Sequence, residues 1–327
     1  MRNDKEKMTK EDLRIVYMGT PDFAVESLRA LVEGGYNVVA VITMPDKPMG
    51  RHGSVLQPSP VKQYAVEHGL KVLQPEKLKD PAFVEELRQL KADLQIVVAF
   101  RMLPEVVWSM PPLGTFNAHA SLLPKYRGAA PINWAVINGE TETGITTFFL
   151  KHEIDTGDII QQVRIPIADT DNVGDVHDKL MVLSGQLVTE TVDNIIAGTV
   201  TSIPQDQFKD IPLTPAPKIF RETCRIDWNQ PTKKVYDFIR GLSPYPAAWT
   251  TLEGKSVKIY EADSLPDSPF PKGGEVGELC SDGKNILCVA TADGWLNIKV
   301  LQLEGKKKMP VEDLLRGLKL GENAFFV

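Results

Sequence analysis

Residues 13–43 read LRIVYMGTPDFAVESLRALVEGGYNVVAVIT, and this stretch decides the fold. An apolar run that ends at Gly19 predicts a buried strand, and a second apolar run over 36–43 predicts another. The segment between them has a helical pattern that begins after Pro21, since proline suits the first turn of a helix, and two glycines close it. Two strands joined through a helix predict parallel pairing with a right-handed crossover.

The same pattern continues along the chain. ADLQIVVAF (92–100) predicts a third buried strand, and strands alternate with helices as far as His119. We therefore expect an α/β, Rossmann-like parallel-sheet domain. Its first turn, GTPDF (19–23), holds one glycine and no G-x-G-x-x-G fingerprint, which disfavours a nicotinamide or flavin oxidoreductase.

A composition change divides the chain. PQDQFKDIPLTPAP (204–217) holds four prolines in 14 residues, as an extended linker does. We place an N-terminal domain at 1–203, the linker at 204–220 and a second domain at 221–327. Five short predicted strands in the last part of the chain indicate a small β-barrel, OB-like in size.

NAHASLLPKYRG (117–128) follows an apolar run and is the first candidate for chemistry. If residues 114–118 end a strand, Asn117 and His119 project together, because side chains two apart on a strand share a face. An amide donor beside an imidazole suits a reaction in which a carbonyl becomes an oxyanion while a proton moves. A polar pair that only closes a turn is the alternative reading.

Asp155 lies in a second polar turn, DTGD (155–158). In a parallel sheet, ligands bind at the carboxyl ends of the strands, where this turn and the 117–119 pair both fall. A carboxylate near His119 would favour the imidazolium and orient the ring. Asp155 could instead hydrogen-bond its own backbone. Without a G-x-S-x-G elbow, a P-loop or H-E-x-x-H, we expect direct transfer to an incoming nucleophile.

Composition narrows the class further. The formal net charge of −6 gives no global basic field for nucleic acid, so a polyanionic partner would have to use local basic patches. The charged N-terminus lacks the apolar region of a signal peptide, and no apolar run is long enough to span a membrane. Three cysteines without C-x-x-C spacing indicate neither a disulfide framework nor a zinc site. We expect a cytoplasmic protein, without a bound metal, that acts as a monomer.

The region 117–160 resembles the formyltetrahydrofolate-dependent formyltransferases. The shared elements are N-x-H-x-S-L-L-P-x-x-R-G and, after it, the Asp-Thr-Gly-Asp turn. GTPDF, the loop PDKPMGRHGSVLQPSPVK (45–62) and the Pro-rich linker extend the resemblance to about residues 13–320.

The resemblance implies 10-formyltetrahydrofolate as the formyl donor and the α-amino group of methionyl initiator tRNA as the acceptor, as in translation initiation. It implies that Asn117, His119 and Asp155 are catalytic. The segment Ser121, Leu122, Leu123 and Pro124 would line the folate site, and the backbone of Phe100, Arg101, Met102 and Leu103 would recognise the pterin. The implied tRNA contacts are Arg51, Lys47, Lys306, Lys307 and Lys308.

Several alternatives stay open at this stage. A formyltransferase acting on a sugar-nucleotide amine or on glycinamide ribonucleotide would share the chemistry. A formyltetrahydrofolate hydrolase would release formate instead of transferring the group, and a dehydrogenase would need a further domain. A non-catalytic RNA-binding protein would use the barrel alone, although the negative charge and the lack of an aromatic-rich basic strand disfavour it.

Overall fold

The computed structural model describes residues 7–264, 268–271 and 273–327. Its chain forms two compact units. The first unit contains the residues up to Gly128, together with Thr143–Ile165 and His177–Pro215. The second contains Ala129–Glu142, Pro166–Val176 and the residues from Ala216 onward.

The strands and helices are numbered in chain order. The strands are β1 Ile15–Gly19, β2 Val38–Ile42, β3 Lys47–Met49, β4 Val55–Gln57, β5 Val72–Leu73, β6 Leu94–Val98, β7 Thr115–His119, β8 Arg127–Gly128, β9 Glu142–Phe149, β10 Ile159–Pro166, β11 Pro215–Ala216, β12 Ala248–Leu252, β13 Lys255–Ser264, β14 Leu279–Ser281, β15 Leu287–Ala290, β16 Trp295–Leu303 and β17 Met309–Pro310. The helices are α1 Asp22–Glu33, α2 Pro60–Glu67, α3 Pro81–Gln89, α4 Glu105–Trp108, α5 Pro131–Ile137, α6 Val173–Ala197, α7 Thr232–Leu242 and α8 Val311–Gly317.

The main sheet of the first unit has the strand order β10-β9-β7-β6-β1-β2-β5. Strands β5, β2, β1, β6 and β7 run parallel, and β9 is antiparallel to β7. The chain builds outward from β1 to β2 and β5, then returns to β6 on the other side of β1. Such a reversal leaves a crevice at the carboxyl ends of the strands, where ligands bind in open α/β sheets.

The apolar runs of the sequence explain this sheet. Every residue of β1 and β6 is buried, as expected for parallel strands that are covered on both faces. The prediction of a Rossmann-like parallel-sheet domain followed by a small β domain is confirmed, with the refinement that the first sheet is mixed. Helix α6, the longest helix of the described chain, spans Val173–Ala197.

The stretch 44–60 is the clearest difference from expectation. The sequence predicts a long loop there, whereas the structure has a hairpin in which β3 pairs antiparallel with β4 and Lys47 faces Gln57. Gly50 and Gly53 both have positive φ and flank its turn, so the glycines that indicate a loop in the sequence serve a tight reversal. The side chain of Arg51, in this turn, lies outside the described part of the chain.

The second unit contains an antiparallel sheet of the order β12-β13-β16-β15-β14, with β17 added on β16. Residues 324–327 connect its two edges. Val327 and Thr251 of β12 exchange backbone hydrogen bonds at 3.0 Å, while the Leu279 amide of β14 donates to the Ala324 carbonyl at 2.9 Å. The sheet is thereby closed into a small barrel around a core in which the Trp228 and Phe326 rings stack.

Helix α5 belongs to the second unit although it precedes the Pro-rich stretch. Its Asn133 amide donates to the Gly241 carbonyl of α7 at 3.0 Å, and a Cβ on Gly241 would lie 2.5 Å from Ile137. The two helices therefore pack closely. The domain limits expected from the sequence, 1–203, 204–220 and 221–327, stay a prediction beside these units, which interleave along the chain.

Candidate active site

Asn117 and His119 lie on β7 at the carboxyl edge of the first sheet. The strand ends at His119, one residue later than the sequence suggests. Strand β7 pairs on one side with β6, and on the other side Asn117 faces Phe148 of β9. The asparagine side chain is half-buried and the histidine is only 7% exposed. The two side chains share one face of the strand, as their spacing requires.

The imidazole of His119 lies between two protein oxygens. Its Nε2 is 2.8 Å from the carbonyl oxygen of Tyr126, and its Nδ1 is 3.8 Å from Oδ2 of Asp155. The Phe148 ring meets the imidazole edge-on at a centroid distance of 6.4 Å. Each ring nitrogen thus faces a protein oxygen, Nε2 at hydrogen-bond distance and Nδ1 beyond it.

Asp155 lies in a tight, strained turn. Its φ of +56° is in the left-handed region, which a residue with a side chain adopts at a cost. Its Oδ2 accepts a hydrogen bond from the Gly128 amide at 2.9 Å. A Cβ on Gly157, two residues on, would lie 1.5 Å from the Phe149 carbonyl oxygen, so only glycine fits there. Local packing therefore dictates the turn that presents the carboxylate.

The segment 121–124 is held mainly from its inner side. The buried Ser121 hydroxyl donates to the Lys125 carbonyl at 2.7 Å. Thr146 of β9 donates its hydroxyl to the Ser121 carbonyl at 2.7 Å and accepts from the Leu123 amide at 3.2 Å. The side chains of Leu123 and Pro124 are also buried, and Leu122 is half-buried. The segment offers a fixed backbone more than exposed side chains.

Residues 100–103 follow β6 into the crevice. The Leu103 side chain is buried in the core and Phe100 packs against the same cluster. Met102 is 70% exposed. The Arg101 guanidinium donates to the carbonyl oxygens of Glu76, at 2.7 Å, and of Pro75, and burial lowers the pKa of Arg101. Because Phe100 and Leu103 pack in the core, these two residues can present only their backbone to a ligand, whereas Met102 can also present its side chain.

The basic residues suggested by the sequence are on exposed segments. Lys47 is exposed on β3, in the first unit. Lys306, Lys307 and Lys308 are exposed between β16 and β17, in the second unit. The Lys308 ammonium lies 4.3 Å from the centroid of the Tyr260 ring. Their exposure is compatible with contacts to phosphate groups.

Sequence reasoning missed Gln205, which supports the site from behind, and assigned no role to Arg127, although Arg127 is the arginine of the N-x-H-x-S-L-L-P-x-x-R-G motif. Gln205 is buried, and its side-chain amide donates to the carbonyls of Asp155 and Gly157, each at 2.8 Å. Its Oε1 accepts from Arg127 Nε at 3.1 Å and from a terminal guanidinium nitrogen at 2.7 Å. Gln205 lies in the Pro-rich stretch that predicts a linker, and a linker residue is not expected to take part in a site.

Among the residues that the structure describes, there is neither a metal-binding cluster nor a membrane-spanning helix. Within 7–264, 268–271 and 273–327, no group of three or more His, Cys, Asp or Glu side chains is arranged to hold a metal ion. Among the helices of that part of the chain, none is long and apolar enough to cross a membrane.

The strand order of the first sheet changes direction at β1, and an amide, an imidazole and a carboxylate lie at the sheet's carboxyl edge. Comparisons of the whole chain with known proteins agree with this arrangement. The formyl transferase family model matches residues 13–192, and the model of the formyl transferase C-terminal domain matches 218–319. The chain belongs to the formyl transferase family.

Relatives within that family share one name. A protein of Parabacteroides distasonis, 69% identical over 320 residues, covers 95% of this chain and 98% of its own length, and is called methionyl-tRNA formyltransferase. A protein of Bacteroides fragilis, 69% identical over 321 residues that make up 96% of this chain and 98% of its own, has the same name. The solved N-formyltransferase of Helicobacter canadensis has a TM-score of 0.66 at 20% identity over 91% of this chain and all of its own, so it shows the fold alone.

Proposed function

We propose that this enzyme transfers the formyl group of 10-formyltetrahydrofolate to the α-amino group of methionyl initiator tRNA. The observation that carries the chemistry is the grouping of Asn117, His119 and Asp155 at the carboxyl edge of the sheet. The acceptor is supported by the name that two relatives, each 69% identical, share across nearly the whole chain.

The reaction is a direct attack of the amine on the formyl carbon. A free amine is available at neutral pH, since an α-amino group has an ordinary pKa of about 8. As its nitrogen bonds to the formyl carbon, negative charge develops on the formyl oxygen. The amide of Asn117, at the strand end, donates a hydrogen bond to that oxygen. Single donors in comparable oxyanion sites contribute about 3–4 kcal/mol to transition-state stabilisation.

His119 stabilises the same oxygen through the positive charge of its doubly protonated ring. The carbonyl of Tyr126 and the carboxylate of Asp155 hold that ring in place. Asp155 thus orients the imidazole and relays the proton lost by the attacking amine through water. The bond from the formyl carbon to N10 then breaks, N10 takes up a proton, and tetrahydrofolate and the formylated amine leave.

Binding of the two substrates falls to different segments. The backbone of 100–103 and the segment 121–124 receive the folate, because both follow strands of the crevice. The hairpin β3–β4, with Lys47 and Arg51, and the lysines 306–308 of the second unit contact the tRNA. We also propose that the enzyme works in the cytoplasm and that it is a monomer. Light scattering of the purified full chain would test the oligomeric state.

One assay tests the proposed function. The full chain is incubated with 10-formyltetrahydrofolate and methionine-charged initiator tRNA, and formyl-methionyl-tRNA is separated from formate. We expect formyl-methionyl-tRNA in amounts that match tetrahydrofolate release. A parallel reaction with an amino-sugar nucleotide should give no product. Free formate without formylated tRNA would indicate a hydrolase and overturn the proposal.

A further inference from the structure

The segment 203–214, at the start of the Pro-rich stretch, hydrogen-bonds to both partners of His119. The Thr214 carbonyl accepts from the backbone amide of Tyr126 at 2.6 Å, and Tyr126 in turn offers its carbonyl to the imidazole. Nine residues earlier, Gln205 donates to the turn that holds Asp155. A stretch with the composition of a linker therefore supports the site from two sides.

The contacts of Gln205 are unusually complete. Its NH₂ group donates to the carbonyls of Asp155 and Gly157, and its Oε1 accepts two bonds from Arg127. The residue is 5% exposed, so every polar atom of its side chain is used inside the protein. Unmade hydrogen bonds at such a depth are costly, and this fixes the orientation of the amide.

Two neighbouring contacts fix the position of the segment itself. Ile203 and Ile159 of β10 exchange backbone hydrogen bonds at 2.8 Å, two residues before Gln205. Arg127, which donates to Gln205, is joined covalently to Gly128, whose amide donates to the Asp155 carboxylate. Gln205, Arg127, Gly128 and Asp155 thus form a closed ring of bonds around the turn.

We propose that Gln205 is a positioning residue that sets the Asp155 carboxylate against His119. The backbone of Asp155 is in the left-handed region, and nothing in an Asp-Thr-Gly sequence alone forces it to stay there. By donating to the carbonyls on both sides of Thr156, the Gln205 amide keeps the turn closed. Gln205 acts through Asp155, and this role rests on the proposed function of the site.

Gln205→Met tests this role, because methionine has a similar length and no hydrogen-bonding amide. We expect kcat to fall about 10- to 100-fold, as small displacements of a catalytic group do, with the KM values of both substrates within about twofold. Gln207→Met, an exposed residue of the same helical turn, is the matched control and should leave kcat unchanged. If Gln205→Met unfolds, Gln205→Glu keeps an acceptor for Arg127, loses both donors and places a negative charge against the carbonyls of Asp155 and Gly157, so it should reduce kcat at least as much.

A double-mutant cycle separates positioning from general destabilisation. If Gln205 acts through Asp155, Gln205→Met should reduce kcat by less than about twofold in an Asp155→Asn background. Multiplicative effects, or a folded single variant with unchanged kcat, would overturn the proposal.

A readout that needs no substrate separates this proposal from the proposed function. The NMR shifts of the His119 imidazole should move in Gln205→Met and stay in place in Gln207→Met. A wild-type protein without transferase activity would overturn the proposed function, while the imidazole shifts would still decide the role of Gln205. Unmoved shifts in Gln205→Met would contradict the positioning role.

Discussion

Two loops of the first unit are anchored in opposite ways. The turn 151–158, between β9 and β10, has Asp155 only 10% exposed and hydrogen-bonded from two directions. The hairpin β3–β4 exposes most of its side chains, including Met49, Val55 and Leu56, each more than half exposed. Side-chain hydrogen bonds anchor it at its base, where Asp46 accepts from Lys62 Nζ at 2.9 Å and from Gln74 at 2.7 Å.

This difference separates two tasks of one enzyme. Under the proposed function, the turn has to keep a carboxylate within about 0.5 Å of its place for efficient proton transfer, and buried hydrogen bonds hold it there. Under the same proposal, the hairpin has to receive a large, charged acceptor, which favours an element anchored at one end with reachable side chains. If the comparison holds, changes at the buried edge should reduce kcat, and changes on the hairpin should raise the KM for tRNA.

The largest effect is expected at the buried edge of the sheet. Asn117→Ala should reduce kcat by about two to three orders of magnitude, because it removes a donor to the developing oxyanion. Asn117→Asp keeps the size of the side chain and should lose nearly as much. Thermal unfolding of both variants should stay near wild type. Unchanged turnover would remove Asn117 from the mechanism.

The second effect concerns the carboxylate of the turn. Asp155→Asn keeps an oxygen for the Gly128 amide and removes the charge beside His119, so we expect kcat to fall about 100-fold. The control is Asp158→Asn, three residues further, where the carboxylate pairs with the half-exposed Lys151 at 2.6 Å. It should change kcat by less than about twofold, since exposed ion pairs contribute little. Equal losses in the two variants would contradict the assignment.

On the hairpin, Arg51→Ala should raise the KM for tRNA about 5- to 10-fold and leave the KM for the folate within about twofold. Removing one phosphate contact should also reduce the salt dependence of tRNA binding by about one ion. Lys71→Ala removes the same charge from an exposed ion pair with Glu86 and serves as the control. A larger effect on the folate than on tRNA would contradict the role of the hairpin.

The smallest effect is a pH dependence at the base of the hairpin. Hydrogen bonds from Gln74 and Lys62 hold the pKa of Asp46 below its ordinary value of 3.8. Folding thus stabilises the ionised form of Asp46. Its contribution to the free energy of unfolding is complete above pH 3.8 and is lost as the pH falls through the lowered pKa. Asp46→Asn should therefore speed proteolysis of the hairpin at pH 7, and the difference from wild type should shrink in acid. A difference that grows in acid would contradict this sign.

The fully buried strands of the first sheet could be predicted from the sequence. Strands β1 and β6 follow directly from apolar runs in the sequence. Asn117 and Asp155 could be selected as candidates because their residue types and positions suit the chemistry. The family resemblance then assigned both residues to one catalytic site. The support of the site could not be predicted. Gln205 is more than 45 residues from Asp155 in the chain, and local patterns hold no information on such pairings.

Gly157 and Asp155, two residues apart, are constrained for different reasons, the first by packing and the second by chemistry. A side chain at 157 would collide with the Phe149 carbonyl whether or not any reaction takes place. The charge of Asp155, by contrast, is needed only in the proposed chemistry, since an asparagine oxygen could also accept from the Gly128 amide. A relative that had lost the activity and kept the fold would therefore retain the glycine and be free to change the aspartate. The residues at positions 155 and 157 of a homologous sequence therefore distinguish active enzymes from homologues that keep the fold without the activity.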